Sequence, residues 1–270
     1  MNKKVNIALL VALSVVLTYC SSSKKDAEKA AEKKQELEEF IEEQFEYPIP
    51  TSFEVTKMLQ DANASYDAAV TNDPASVDKY ETEWQKALNL GVYGADLSFA
   101  STFDKKEESV AFLEASKKLI DELNISTAFN KSLASRIESN LENKDSLILI
   151  ITESFYQTYN YLNQSGDEKT SLLVVSGSVI EGLYITSELI KASDYNADLM
   201  QVLAAQKDQV QKLTALMEKH ADDANVNKVL PTLRFVGLFY DQLGESNEIS
   251  QGQFEDVANS IAEMRSEIVG

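Results

Sequence analysis

The chain has 270 residues, with 44 acidic against 25 basic side chains and a single histidine, a formal net charge of −19 at neutral pH. So acidic a chain is repelled by nucleic acid and by anionic bilayer surfaces, and it has no basic stripe to offset this, which excludes nucleic-acid binding. One cysteine excludes an internal disulfide, and only four prolines and nine glycines interrupt long segments with apolar residues three and four apart, the period of an all-α chain.

At the amino end Lys3 and Lys4 precede Val5 to Leu17, a run broken only by Asn6 and Ser14. A charged head followed by ~13 mostly apolar residues has the length of a secretory signal and falls short of the ~20 that span a bilayer as a helix. The run ends Leu17-Thr18-Tyr19-Cys20, followed by three serines, where an ordinary signal would end in small residues. This resembles a bacterial lipoprotein signal, in which the cysteine is acylated and becomes the first residue after cleavage. Leu17 and Thr18 fit that pattern, and Tyr19 departs from the usual Gly, Ala or Ser. The resemblance implies a signal peptide over 1–19 and lipid on Cys20. The protein is then expected at the cell envelope, held to the outer membrane by lipid and not cytoplasmic. More than one acyl chain, at ~0.8 kcal/mol per buried CH₂, gives stable anchoring, so the membrane is a partner through Cys20 alone. Losing two of the 25 basic residues with the signal leaves 23 against 44 acidic ones, a formal charge of −21.

Residues 20–49 then read as the anchor cysteine and a charged, partly helical spacer. From Lys24 to Glu46 the sequence is mostly Lys, Glu, Gln and Ala, with Leu37, Phe40, Ile41 and Phe45 as its few apolar residues. Tyr47-Pro48-Ile49-Pro50 stops it, because proline disfavours helix in the residue before it.

Residues 50–270 read as a single helical domain. Thr51-Ser52-Phe53-Glu54 is a capping box, and Val55, Met58, Leu59, Ala62, Tyr66 and Val70 form one face after it. Asp73-Pro74 opens a second helix, with Val77, Tyr80, Trp84, Leu88, Gly91, Ala95 and Phe99 on its face. On that helix Gly91 and Ala95 lie four apart, as do Gly94 and Ser98, so one flank is smooth enough for a neighbour to approach closely, offsetting the ~1 kcal/mol that each internal glycine costs. Further helices are expected at 107–123, 127–142, 146–163, with Asp145 as the cap of the last, then at 168–192, 195–221, 226–243 and 251–268. Short connections make this an antiparallel multi-helix bundle of about eight or nine helices.

Two stretches, "ALNLGVYGADLSFASTFDKKEES" (87–109) and "SGSVIEGLYI" (176–185), resemble segments of an uncharacterised helical lipoprotein family of Bacteroidetes-type bacteria. The resemblance implies an envelope location and a helical fold, and transfers no activity and no functional residues.

Most chemistries lack their residues. A di-iron carboxylate bundle needs two Glu-x-x-His pairs, whereas the one histidine, His220, has Met217 three residues before it. His220 continues the stripe of Leu213 and Met217 and reads as a cation near a helix C-terminus. No Gly-x-Ser-x-Gly elbow, phosphate-binding loop or calcium loop is written in the chain. The expectation is no cofactor, no metal and no catalytic residue. What remains is a set of polar residues inside apolar helical stretches: Asp96, Glu153, Glu181 and Arg234. An inward carboxylate must be paired or protonated. With three arginines in the chain, Arg136 and Arg234 are the expected partners, helped by the hydroxyls of Tyr93, Tyr156 and Tyr184. These residues form either a buried ion-pair network or a cleft for a small polar ligand. The sequence therefore points to a lipid-anchored cell-envelope protein acting as a non-catalytic binding or structural module, its protein or small-molecule partner unknown. A carboxylate-based hydrolase centred on Asp96, Glu153 or Glu181 is the alternative.

Overall fold

A computed structural model describes residues 52–125, 135–137, 139–140, 143–243 and 248–270. The signal segment, Cys20, the spacer and most of the helix expected at 127–142 lie outside the described residues. Within them the chain forms α1 (Ser52–Asp61), α2 (Glu83–Thr102), α3 (Lys106–Glu122), α4 (Lys144–Gln164), α5 (Glu168–Ala192), α6 (Ala197–Ala205), α7 (Lys207–Glu218), α8 (Val226–Gln242) and α9 (Gln251–Val269). Two 3₁₀ turns, Ala68–Val70 and Pro74–Lys79, join α1 to α2. No strand occurs among the described residues, which belong to one compact unit, Tyr47–Gly270. The fold is an all-α bundle.

Its centre is the crossing of α2 and α5, the two helices buried almost all round. A helix apolar on every side must be enclosed by others. By length and composition α5 could cross a membrane, but 89% of its most apolar window is buried inside the bundle, so neighbouring helices cover it. The two backbones meet at glycines. A Cβ on Gly91 would overlap the Val174 carbonyl oxygen and stand 2.6 Å from Ser178 N, and one on Gly177 would overlap the Leu88 carbonyl. At Gly94 nothing lies within 4 Å of such an atom, so the close approach uses Gly91 and not the whole flank.

Direction follows from paired contacts. Ser101 near the end of α2 meets Ser109 near the start of α3, and Lys86 near the start of α2 meets Glu122 at the end of α3, so these two are antiparallel. Helices α7 and α8 are antiparallel by the same logic, through Glu218 with Arg234 and Gln211 with Asp241. By contrast Ser52 and Thr56 of α1 meet Ser98 and Thr102 of α2 in the same order, so these run alongside in one sense, and the long 62–82 connection returns the chain.

That connection occupies residues whose apolar spacing suggests two longer helices. The first closes at Asp61, where Asn63 adopts φ 59° and Ala64 N–H bonds back to the Leu59 carbonyl. The second divides: Asp73 caps only a 3₁₀ turn, and Thr82 with Gln85 forms a fresh reciprocal capping box that opens α2. The stretch expected as one helix over 195–221 likewise breaks at Gln206, between α6 and α7. Its side chain is buried and donates to Thr186 Oγ1 at 3.1 Å, a bond to α5 that holds the break in place. Helix α4 is capped by Asn143, which accepts from Ser146 N–H at 3.1 Å, and Asp145 falls inside its first turn.

Candidate functional site

Asp96 projects from α2 and Glu181 from α5, and both are 0% exposed. A carboxylate taken fully out of water loses several kcal/mol unless it is neutralised or paired, and the two solve this differently. Glu181 is paired: its Oε2 accepts from Arg265 Nε and its Oε1 from Arg265 Nη2, each at 3.0 Å, a two-pronged fork. Arg265 comes from α9, and its guanidinium lies 4.5 Å above the ring of Tyr184, which fixes its plane.

Asp96 has no ion pair among the described residues. Its Oδ2 accepts the backbone N–H of Asn72 at 3.1 Å, and its Oδ1 finds no donor among the described residues. Inside the same dry enclosure the charge of Glu181 acts on Asp96 and opposes its ionisation. Burial, and then the charge of Glu181, push Asp96 well above the usual carboxylate range, which favours its protonated form. Burial also pushes Glu181 up, against the pull of Arg265, the only cation bonded to it among the described residues. With Asp96 protonated, the remaining charges are the anion and cation of the Glu181–Arg265 pair, which balance.

A ring of amides and phenols ties it to the rest of the fold. Asn72 Nδ2 donates to Tyr80 Oη at 2.8 Å, and Asn89 Nδ2 donates to the carbonyls of Gln85 and Ile268 at 2.9 and 2.8 Å, which joins α2 to the end of α9. Tyr93 Oη donates to the Asp73 carbonyl at 2.9 Å, and burial raises the phenols of both Tyr80 and Tyr93, so neither is an acid in reach of neutral pH.

Of the residues singled out from sequence, Asp96, Glu181, Tyr184 and, at the rim, Tyr93 come together. Glu153 does not: it pairs with Arg136 at 2.7 Å on the half-exposed face of α4, where Gln157 also donates to it. Arg234 is no partner for an inward acid either, because it forms a two-pronged pair with Glu218 at the surface, at 2.6 and 2.7 Å. Tyr156 is buried on α4, its phenol raised by burial and by the charge of Glu54. The expected partners of Glu181, Arg136 and Arg234, are thus replaced by Arg265. One local signal pointed inward without naming the pairing: Arg265 lies four after Ile261 and three before Ile268, on the buried stripe of α9. Asn72 and Asn89 carry no comparable signal, since each acts through a loop or a helix end.

His220 sits 3.2 Å from Glu168 Oε2, joining the end of the α7 region to the start of α5. Among the described residues no group of three or more His, Cys, Asp or Glu side chains is placed to hold a metal ion. Chemically the carboxyl cluster can hold and share a proton, and with both acids sealed it offers no open face to a substrate. Compared with known proteins, the chain matches no family model, no curated protein and no solved structure.

Proposed function

We propose that the protein is a lipid-anchored component of the cell envelope, tethered through Cys20 to the outer membrane, and that its helical domain serves as a binding or structural module. The observation that carries the second half is the complete burial of Asp96 and Glu181, with both oxygens of Glu181 taken by Arg265. An acid–base pair that works on a substrate has to reach it, whereas a sealed cluster built on the Glu181–Arg265 pair joins α2, α5 and α9. The first half rests on the order of Lys3, Lys4, the apolar run to Leu17 and Cys20, and on the two stretches that resemble the lipoprotein family.

The tether is tested by Cys20→Ala in cells fed a labelled fatty acid. The expected outcome is loss of label and loss of the protein from the detergent-soluble membrane fraction. Label retained on the variant, with unchanged fractionation, would overturn it.

A further inference from the structure

On another flank of α2 the packing opens. Gly91 is occupied by the α5 backbone, but one turn later Gly94 faces empty space, and a cavity of about 60 Å³ lies beside it, lined by α1 to α5 and by Ile137. A water needs roughly 10–15 Å³ measured this way, so there is room for several heavy atoms. The walls are mainly Leu90, Leu97, Ile120, Ile151 and Phe155, and no charged side chain lines them among the described residues. Phe53, Thr152 and Phe155 are only half-buried and form the mouth.

The hydroxyls in the wall divide into two groups. Ser98, Ser154 and Thr158 donate to carbonyls of their own helices, at 2.9 Å each, and Ser52 Oγ meets Ser98 Oγ at 3.3 Å, so these four ask nothing of an occupant. Ser116 Oγ and Thr152 Oγ1 are buried atoms with no hydrogen-bond partner among the described residues, and Ser116 is only 5% exposed. An orphaned buried hydroxyl is uncommon in a folded protein and calls for a missing partner. Water supplies that partner poorly here, because each buried water needs two to four polar contacts and the rest of the wall is apolar or already satisfied.

We infer that this cavity binds the end of an uncharged aliphatic chain carrying one hydroxyl or carbonyl oxygen, which Ser116 and Thr152 hydrogen-bond while the hydrocarbon lies along Leu90, Leu97, Ile120 and Ile151. A charged headgroup would stay outside the mouth, since no cation lines the cavity among the described residues. The inference goes beyond the envelope reading and does not depend on the tether at Cys20.

The test uses the full chain and 1-hexanol as probe, read by saturation-transfer NMR. Transfer from protein methyls to the probe is expected for the wild type. It should vanish in Gly94→Leu, which fills the cavity without meeting a neighbour at its Cβ, and the joint change Ser116→Ala with Thr152→Val should weaken affinity about tenfold. Should Gly94→Leu fail to give a helical circular-dichroism spectrum, Ser116→Leu fills the same space from α3. Equal transfer in wild type and filled variants, or none in the wild type, would overturn the site. In a second arm, displacement of hexanol by phosphatidylcholine vesicles marks a bilayer lipid as the natural source, and displacement by free 1-dodecanol alone marks a soluble molecule. Displacement by neither overturns the inference.

Discussion

Asp96 and Glu181 carry the same chemical group in one dry enclosure, yet removing the charge from each should have opposite consequences. Glu181→Gln leaves the Arg265 guanidinium, itself only 14% exposed, without its counter-charge, and breaking a buried pair costs about 3–5 kcal/mol, part of which glutamine recovers by hydrogen bonding. A urea melt reads the loss directly. Asp96→Asn instead replaces a protonated acid by a neutral group of its shape: the amide donates toward Glu181 and the carbonyl accepts from Asn72. Stability at neutral pH should be unchanged or higher. The pH dependence follows from the direction of the shift. Unfolded, Asp96 titrates near ~3.9, and in the fold burial holds it well above that. Above about pH 4 the folded chain therefore keeps a proton that the unfolded chain loses, so this residue's contribution is fully present below that pH and is lost as pH rises through the folded pKa. Melts from about pH 4 to about pH 8 should fall less steeply for Asp96→Asn than for the wild type, and parallel slopes would place the proton elsewhere. In the sequence the desolvated position of Glu181 was legible from the apolar residues around it, while its partner was not: Arg265 lies 84 residues away in a helix whose other face is polar.

Helix ends show how this chain manages with so few glycines. Five helices close with the same backward bond, from Ala64 to Leu59, Lys105 to Ala100, Ile125 to Ile120, Asp167 to Leu162 and Tyr195 to Ile190. The residue before each donor is left-handed, and it is glycine only at Gly166; at the others it is Asn63, Asp104, Asn124 and Asp194. A left-handed conformation strains residues with a side chain by about 1–2 kcal/mol, somewhat less for Asn and Asp. Asp104→Gly should thus raise stability by up to ~1 kcal/mol, and Gly166→Ala should lower it by a similar amount, as shifts in the urea midpoint. Inside the helices the contrast is sharper. Gly91→Ala drives a methyl into backbone atoms that cannot rotate away, so the loss should reach or exceed the ~1–3 kcal/mol of ordinary overpacking. Gly94→Ala meets nothing and should gain up to ~1 kcal/mol from helix propensity. The apolar period made α3, α5, α8 and α9 readable to within a residue or two, because each buries a continuous face. It misled over 62–82, where Tyr66 and Val70 reach the core from a loop and a 3₁₀ turn, and where an Asn with positive φ ended a helix that composition alone would have continued.

Across the whole molecule the dominant electrostatic fact is the formal charge of −19. Ion pairs between elements among the described residues, such as Lys86 with Glu122, Lys118 with Asp78, Lys169 with Asp223, Arg136 with Glu153 and Arg234 with Glu218, lie at least partly in solvent. Exposed pairs of this kind contribute little and are screened by salt. The surplus of carboxylates acts the other way: like charges spread over a compact surface repel, and folding brings them closer than the unfolded chain does. Raising ionic strength from about 0.01 M to about 1 M shortens the Debye length from about 30 to about 3 Å, which removes most of the surface repulsion together with most of the surface pairing. With 44 acidic against 25 basic residues the repulsive part is the larger, so the melting temperature of the wild type should rise with sodium chloride. The sealed Glu181–Arg265 pair lies beyond the reach of mobile ions. The deficit of Glu181→Gln relative to wild type should therefore stay nearly constant across the same salt range, while any deficit of Arg234→Gln shrinks toward zero. A wild-type melting temperature that falls with salt would mean that attraction among surface ions outweighs the net repulsion. A Glu181→Gln deficit that closes with salt would mean that the cluster is open to solvent, and with it the structural reading of the carboxyl pair would fail.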